Sequence, residues 1–240
     1  MRRGWILRGL TIAAAVAFAA VAYAYLTLPD VRDLATTNPR TTAFMTLREA
    51  EAASEGRKLR HLHQWVRYSR ISKNLQRAVL VAEDSRFFEH DGVDLEELKK
   101  SIEINIERGG AIRGGSTITQ QLAKNLYLSP SKNPLRKMRE LMIARRLEAE
   151  LKKSRILELY LNLIEWGDGI YGADAAARRY FQTSASALGP TESALLAAAI
   201  INPRVLNPAR PSKGLLRRQQ LILRRMGVVT PPEESVSEQR

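Results

Sequence analysis

Lys153-Ser154-Arg155-Ile156-Leu157-Glu158-Leu159-Tyr160-Leu161-Asn162 is the stretch from which the fold can be read. Ile156, Leu159, Tyr160 and Leu163 fall at the i, i+3, i+4, i+7 spacing of a helix with one apolar face, and Ser154 is placed to cap it. Outward from it the same period recurs. Leu95, Leu98, Ile102 and Ile106 form one stripe, and Leu135, Met138, Leu141, Met142 and Leu151 another. Thr191 to Ile201 is an Ala/Leu-rich helix expected to be buried, and Ser212 caps a helix over 213–226 with Gly227 as its stop. Alternating strand patterns are scarce. The fold class is therefore mainly α, one domain with about seven or more helices in roughly 170 residues.

The chain has 240 residues, 45% of them hydrophobic and 26% charged, a composition with enough apolar mass for a core. It has no cysteine, which excludes disulfides, zinc–thiolate and iron–sulfur sites and a thiol nucleophile. Its three histidines, His61, His63 and His90, are too few for a multi-histidine metal site, and no metal ligand set is expected. Net charge is +13, and Arg2, Arg3 and Arg8 hold three of those positives, leaving +10 on the remainder. A basic body favours an anionic partner: nucleic acid, lipid head groups or a phosphate-bearing substrate.

Residues 9–29 carry no charge and are long enough, at about 1.5 Å per residue, to cross a bilayer. The arginines before them keep residues 1–8 cytoplasmic and send the body outside; Trp5, Tyr23 and Tyr25 suit the two interfaces. A cleaved signal peptide with Ala22-Tyr23-Ala24 as its site is the rival, but an h-region usually runs only about 7–15 residues. Residues 30–60 read as a linker or stalk and 230–240 as a disordered tail. An extracytoplasmic body leaves nucleic acid without a role.

Three further blocks carry polar chemistry. Glu83-Asp84-Ser85-Arg86-Phe87-Phe88-Glu89-His90-Asp91-Gly92 follows the apolar run 78–82, so a carboxylate there is either a desolvated proton acceptor or a helix-end group paired with Arg86 or His90. Arg113-Gly114-Gly115-Ser116-Thr117-Ile118-Thr119-Gln120-Gln121-Leu122-Ala123-Lys124-Asn125 opens a helix whose N-terminus suits an anion or sugar, or is simply capped by Ser116 or Thr117. No Walker loop or G-x-G-x-x-G is present, so no nucleotide cofactor is expected. In Arg136-Lys137-Met138-Arg139-Glu140, Arg136 and Glu140 form either an i, i+4 surface pair or part of a phosphate site. Residues 130–160 hold nine Lys/Arg against four acids. In the opening block, Asn162 is the residue suited to a buried polar role.

In order, the four blocks resemble the peptidoglycan glycosyltransferase family, glycosyltransferase family 51, over about residues 65–227. The signatures are E-D-x-x-F-x-x-H-x-G at 83–92, G-x-S-T-I-T-Q-Q-x-x-K-N at 114–125, R-K-x-x-E at 136–140 and K-x-x-I-L-E-x-Y-L-N at 153–162. Glu192-Ser193-Ala194-Leu195-Leu196 and Asn202-Pro203 with Asn207-Pro208 also fit. S-x-x-K and K-T-G are missing, as in monofunctional members, and Glu165-Trp166-Gly167-Asp168-Gly169 is similar to the Gram-negative type. Gln182 departs from the Gly common after Tyr-Phe, a change expected to alter a turn only.

The resemblance implies a lysozyme-like head over 61–229 with a smaller membrane-associated lobe. It also implies lipid II and the growing lipid-linked glycan as substrates, and the bilayer and cell-wall synthesis and division proteins as partners. It implies localisation in the cell inner membrane with a periplasmic catalytic domain. Glu83 would be the general base and Glu140 a second catalytic carboxylate that positions substrate or balances charge. Lys124, Arg136 and Lys137 would bind the departing pyrophosphate. Asp84, Phe87, His90, Ser116, Thr117, Gln120, Gln121, Asn125 and Asn162 would complete the substrate site. No cofactor is required, although Mg or Mn at the pyrophosphate is compatible. Leu126, Tyr127 and Leu128 are expected to seat the head in lipid. The rivals are a strand-cleaving enzyme on the same scaffold and a non-catalytic membrane-tethered scaffold.

Overall fold

The computed structural model describes residues 2–58, 60–107, 109, 115–131 and 133–227; Arg113, Gly114 and the tail expected at 230–240 lie outside them. The helices are α1 (Arg2–Leu26), α2 (Ala43–Ser54), α3 (Lys73–Glu83), α4 (Leu95–Glu107), α5 (Ile118–Tyr127), α6 (Pro134–Glu150), α7 (Lys153–Leu163), α8 (Ala173–Phe181), α9 (Pro190–Ala199) and α10 (Lys213–Arg225). Three short strands, β1 (Leu62–His63), β2 (Glu165–Gly167) and β3 (Ile170–Tyr171), form one sheet in the order β1-β3-β2. β1 runs parallel to β3, and β2 antiparallel to it. The expected mainly helical class is what the chain adopts.

Helix starts follow local chemistry. Thr42, Ser72, Thr117, Asn133 and Ser212 each accept a backbone N–H of their own first turn, and Pro134 and Pro190 take first-turn positions where a missing N–H costs nothing. Ser154 does not cap: α7 starts one residue earlier, at Lys153, and Ser154 falls inside the first turn. The core lies where α5 packs between α6 and α7, and where α3, α9 and α10 pack together. Ile118, Leu122, Leu147, Ile156, Leu159 and Tyr160 are fully buried there.

The α4 stripe is not core, and of the α6 stripe only Leu151 is buried, with Met142 packed against the core. Leu95, Leu98, Ile102 and Ile106 are exposed on α4, as is Leu135 on α6. α6 instead buries Glu140, Ile143, Ala144 and Leu147, a face rotated from the expected one. Conversely, Leu126 and Leu128, expected to meet lipid, are buried in the core.

Residues 30–60 are not a free stalk. Val31 and Met45 are fully buried, and Arg155 donates to Leu34 O at 2.7 Å, Thr37 O at 3.0 Å and Asn38 Oδ1 at 2.8 Å. Just before them, Arg139 donates to Thr27 Oγ1 and Thr27 O, both at 3.0 Å, and Arg146 to Leu28 O at 3.5 Å and Pro29 O at 3.4 Å. Within α1, Arg8–Leu26 is a 19-residue stretch of mean hydropathy 1.9, long and apolar enough to cross a membrane.

Gln182 ends α8 at φ 56°, ψ 31°, the left-handed conformation in which glycine is normally found at a helix end. It is the only non-glycine with positive φ among the described residues. Gln182→Gly is expected to raise stability by about 0.5–1 kcal/mol, the left-handed penalty less the added freedom of the unfolded chain. Chemical denaturation checks it; an unchanged midpoint would mean the turn holds no strain.

Candidate functional site

α3 delivers Glu83 at its C-terminal end, after the buried Ala78, Val79 and Leu80. The side chain is 13% exposed at the edge of a cavity of about 530 Å³. Glu83 Oε2 accepts from Gln121 Nε2 at 2.9 Å, and Gln121 Oε1 accepts from Tyr160 Oη at 2.9 Å. The buried tyrosine thus fixes which end of the amide faces the carboxylate. Burial also pushes the Tyr160 hydroxyl well above its usual range, so it stays a donor. Burial pushes Glu83 up as well, while the Gln121 hydrogen bond and the Arg218 guanidinium, 3.6 Å away, pull it back. The result is a partly desolvated carboxylate with one oxygen anchored, suited to accept a proton.

Asp84, which also lines the cavity, works locally. Its Oδ2 accepts Ile118 N at 2.9 Å, capping α5, and its Oδ1 lies 2.9 Å from His90 Nε2. His90 thus supports Asp84 from behind the cavity, and neither His90 nor Phe87 is among the cavity's lining residues. Phe87 is fully buried, edge-on to Phe88 and beneath Lys153 Nζ, 4.4 Å from the ring centre. Asn162 likewise does not line the cavity. It is fully buried and stitches the chain at Val66, accepting from Val66 N at 2.9 Å and donating to Val66 O at 2.9 Å and Glu158 O at 2.8 Å.

The α5 entrance meets α6 beside the cavity. Ser116 and Thr117 line it. Thr117 donates to Gly92 O at 2.7 Å, and the buried Gln120 donates to the same oxygen at 3.1 Å. Lys137 Nζ reaches Gln120 Oε1 at 2.9 Å and Ser116 Oγ at 3.3 Å. Glu140 is buried and bonded by both Arg136 and Lys137, so of the two readings open for this block the isolated surface pair gives way to a three-membered cluster around a buried carboxylate. Lys124 joins the two carboxylate centres. Burial lowers its ammonium, Glu140 and Glu83 raise it, and Arg136 and Lys137 lower it further. Its Nζ also stands over the Phe44 ring at 5.5 Å. Asn125 bonds back to Gln121 O at 2.8 Å and serves its own helix. Lys124, Arg136, Lys137 and Glu140 are not among the cavity's lining side chains; they adjoin it through Ser116 and Gln121.

Arg218 and Arg225, which sequence reasoning missed, line the cavity from α10. Their spacing of seven residues, two helical turns, puts them on one face and was readable once the Ser212 cap set the phase. The buried Nε of Arg218 has no hydrogen-bond partner among the described residues. Loss of the guanidinium removes a charge that holds Glu83 down, so its carboxyl should titrate higher and the acid limb of the rate–pH profile should move to higher pH. Arg218→Ala is expected to show that shift and Arg218→Lys to reverse most of it; coincident limbs would rule out the coupling.

The site is thus a largely buried carboxylate at a cavity lined by Arg218 and Arg225, with a cluster of further cations nearby, on a helical body; the transglycosylase family, a class of sugar-transferring enzymes, matches residues 49–227. The chain belongs to that family and is a glycosyltransferase. It is similar to a biosynthetic peptidoglycan transglycosylase of Thiobacillus denitrificans (strain ATCC 25259 / T1), 46% identical over 232 residues, 97% of this chain and 100% of that protein. It is 53% identical over 167 residues to one from Aromatoleum aromaticum (strain DSM 19018 / LMG 30748 / EbN1), 70% of this chain and 73% of the relative. A third, from Dechloromonas aromatica (strain RCB), is 47% identical over 195 residues, 81% of this chain and 84% of that protein.

Proposed function

We propose that this enzyme, which polymerises glycan for cell-wall synthesis, takes lipid II as substrate and releases undecaprenyl pyrophosphate. The acceptor's 4-hydroxyl gives its proton to Glu83. Its oxygen forms the new bond to the donor's anomeric carbon as the bond to the diphosphate oxygen breaks, and that electron pair leaves with the lipid. Attack from the face opposite the leaving group inverts the α linkage to β-1,4. Lys124, Arg136 and Lys137 meet the charge that develops on the diphosphate, and fixed cations of this kind lower a barrier because they need no reorganisation. Glu140 holds Arg136 and Lys137 in place and balances their charge. No cofactor enters this scheme. The observation that carries it is the Glu83 carboxylate, desolvated and anchored by Gln121 at the cavity edge.

In the same reading α1 anchors the protein in the inner membrane, with residues 1–8 cytoplasmic, the body periplasmic and the lipid tails of the substrates within reach. The exposed stripe on α4 faces that lipid. Leu98→Glu with Ile102→Glu is expected to lower polymerisation several-fold in lipid vesicles and to leave it unchanged in detergent. An equal effect in both would remove the stripe from membrane contact. The test of the function itself is incubation of the full chain with lipid II and, separately, with purified sacculi. Polymer from lipid II is expected; fragments from sacculi without polymer would make the enzyme a lytic one.

A further inference from the structure

The connection between α9 and α10 walls two cavities. Ile201 lines the one holding Glu83, and a few residues on, Leu206 lines a second of about 370 Å³. The second cavity is closed by the segment entering β1, by β3 and by the end of α8. We propose that it binds the C-terminal carboxylate of a short peptide with small alkyl side chains.

Charge points first to an anion. The cavity's one carboxylate, Asp168, is taken by Arg204 at 3.6 Å and by the nearby Arg57 at 3.6 Å. Lys58, Arg60 and Arg179 line the same cavity with no ion pair among the described residues. Three like charges around one hollow repel one another, and an anion between them relieves that repulsion. Two of the three are guanidinium groups, whose planar fork matches a carboxylate with two parallel hydrogen bonds.

The remaining wall then selects among anions. Ile170, Leu206 and Tyr180 form an apolar side, and the Tyr180 hydroxyl is already committed to Trp166 O at 3.2 Å. A bare inorganic anion leaves that surface uncovered. A ligand with an alkyl group beside its carboxylate covers it, and the volume is at the small end of ligand cavities, enough for a few heavy groups. Capture of a terminal carboxylate beside an apolar seat is a recurring mode of peptide recognition.

The site stands apart from Glu83, and the polymerase reading supplies only a natural source for such a peptide, the stem on the growing strand. The probe is N-acetyl-alanyl-alanine, titrated calorimetrically into the full chain in detergent micelles, beside its C-terminal amide and inorganic phosphate. Millimolar binding of the acid is expected, with the amide at least about tenfold weaker, the cost of one lost charge-assisted contact. Arg60→Ser and Arg179→Ser should each weaken the acid about tenfold, at an unchanged melting temperature. Glu83→Gln should leave its binding untouched, so that failure here and failure of the base assignment are told apart. Equal binding of acid and amide, phosphate binding as tightly as the peptide, or indifference to both arginine substitutions would each overturn the proposal.

Discussion

Glu83→Gln should cut lipid II polymerisation by about 10²–10⁴-fold, the scale on which a lost general base is felt. The substitution preserves shape, and the new amide can turn its oxygen toward Gln121 Nε2, so the Tyr160–Gln121 chain survives. Arg218 loses its carboxylate partner but stays at the cavity wall, 34% exposed to water. Because burial already disfavours the charged carboxylate, its removal should not lower the melting temperature, and an unchanged thermal transition beside a collapsed rate is the paired result expected. Polymer at a near wild-type rate from a folded Glu83→Gln protein would take the proton acceptor away from this position and leave the cation cluster without a chemical partner.

Gly172→Ala should be the largest single blow to stability, about 3 kcal/mol, or roughly 6–12 °C in melting temperature for a chain of this size. Gly172 precedes α8 at φ 83°, ψ 152°, a region that side-chain-bearing residues hardly enter. A Cβ there would also stand 2.8 Å from Asn162 O, a backbone atom with no flexible tip to yield. That oxygen lies 3.0 Å from His63 Nε2, and the Asn162 side chain holds Val66, so one methyl group would press on the join between α7, β1 and the chain beyond it. Thermal unfolding by circular dichroism measures the loss. A drop under about 2 °C would mean that the backbone shifts freely and that Asn162 is not the staple described.

Sequence made the chemistry more legible than the packing. The caps at Thr117 and Ser212 and the buried α9 could be read because capping and composition act within one turn of chain. The apolar run before Glu83 left both a proton acceptor and a helix-end ion pair open, and only the family resemblance singled the residue out. The phase of α6 could not be read. Met138 and Met142 promise as apolar a face as Ile143 and Leu147, and only the presence of α5 and α7 decides between them. The α4 stripe has the period of a core face but stays exposed among the described residues. The stretch 30–60 looked like a linker since Val31 and Leu34 stand among polar residues and Ala43-Phe44-Met45 is too short a run to show a period. Gly172 lay in plain view, but only the torsion shows that it is irreplaceable.

The arginine clasp at 27–29 bears on how the enzyme is held. Arg139 and Arg146 bond to the chain at the root of α1, which ties that helix to α6. With α1 as the proposed membrane anchor, such a tie would hold the cavity at a constant height and bearing above the lipid plane.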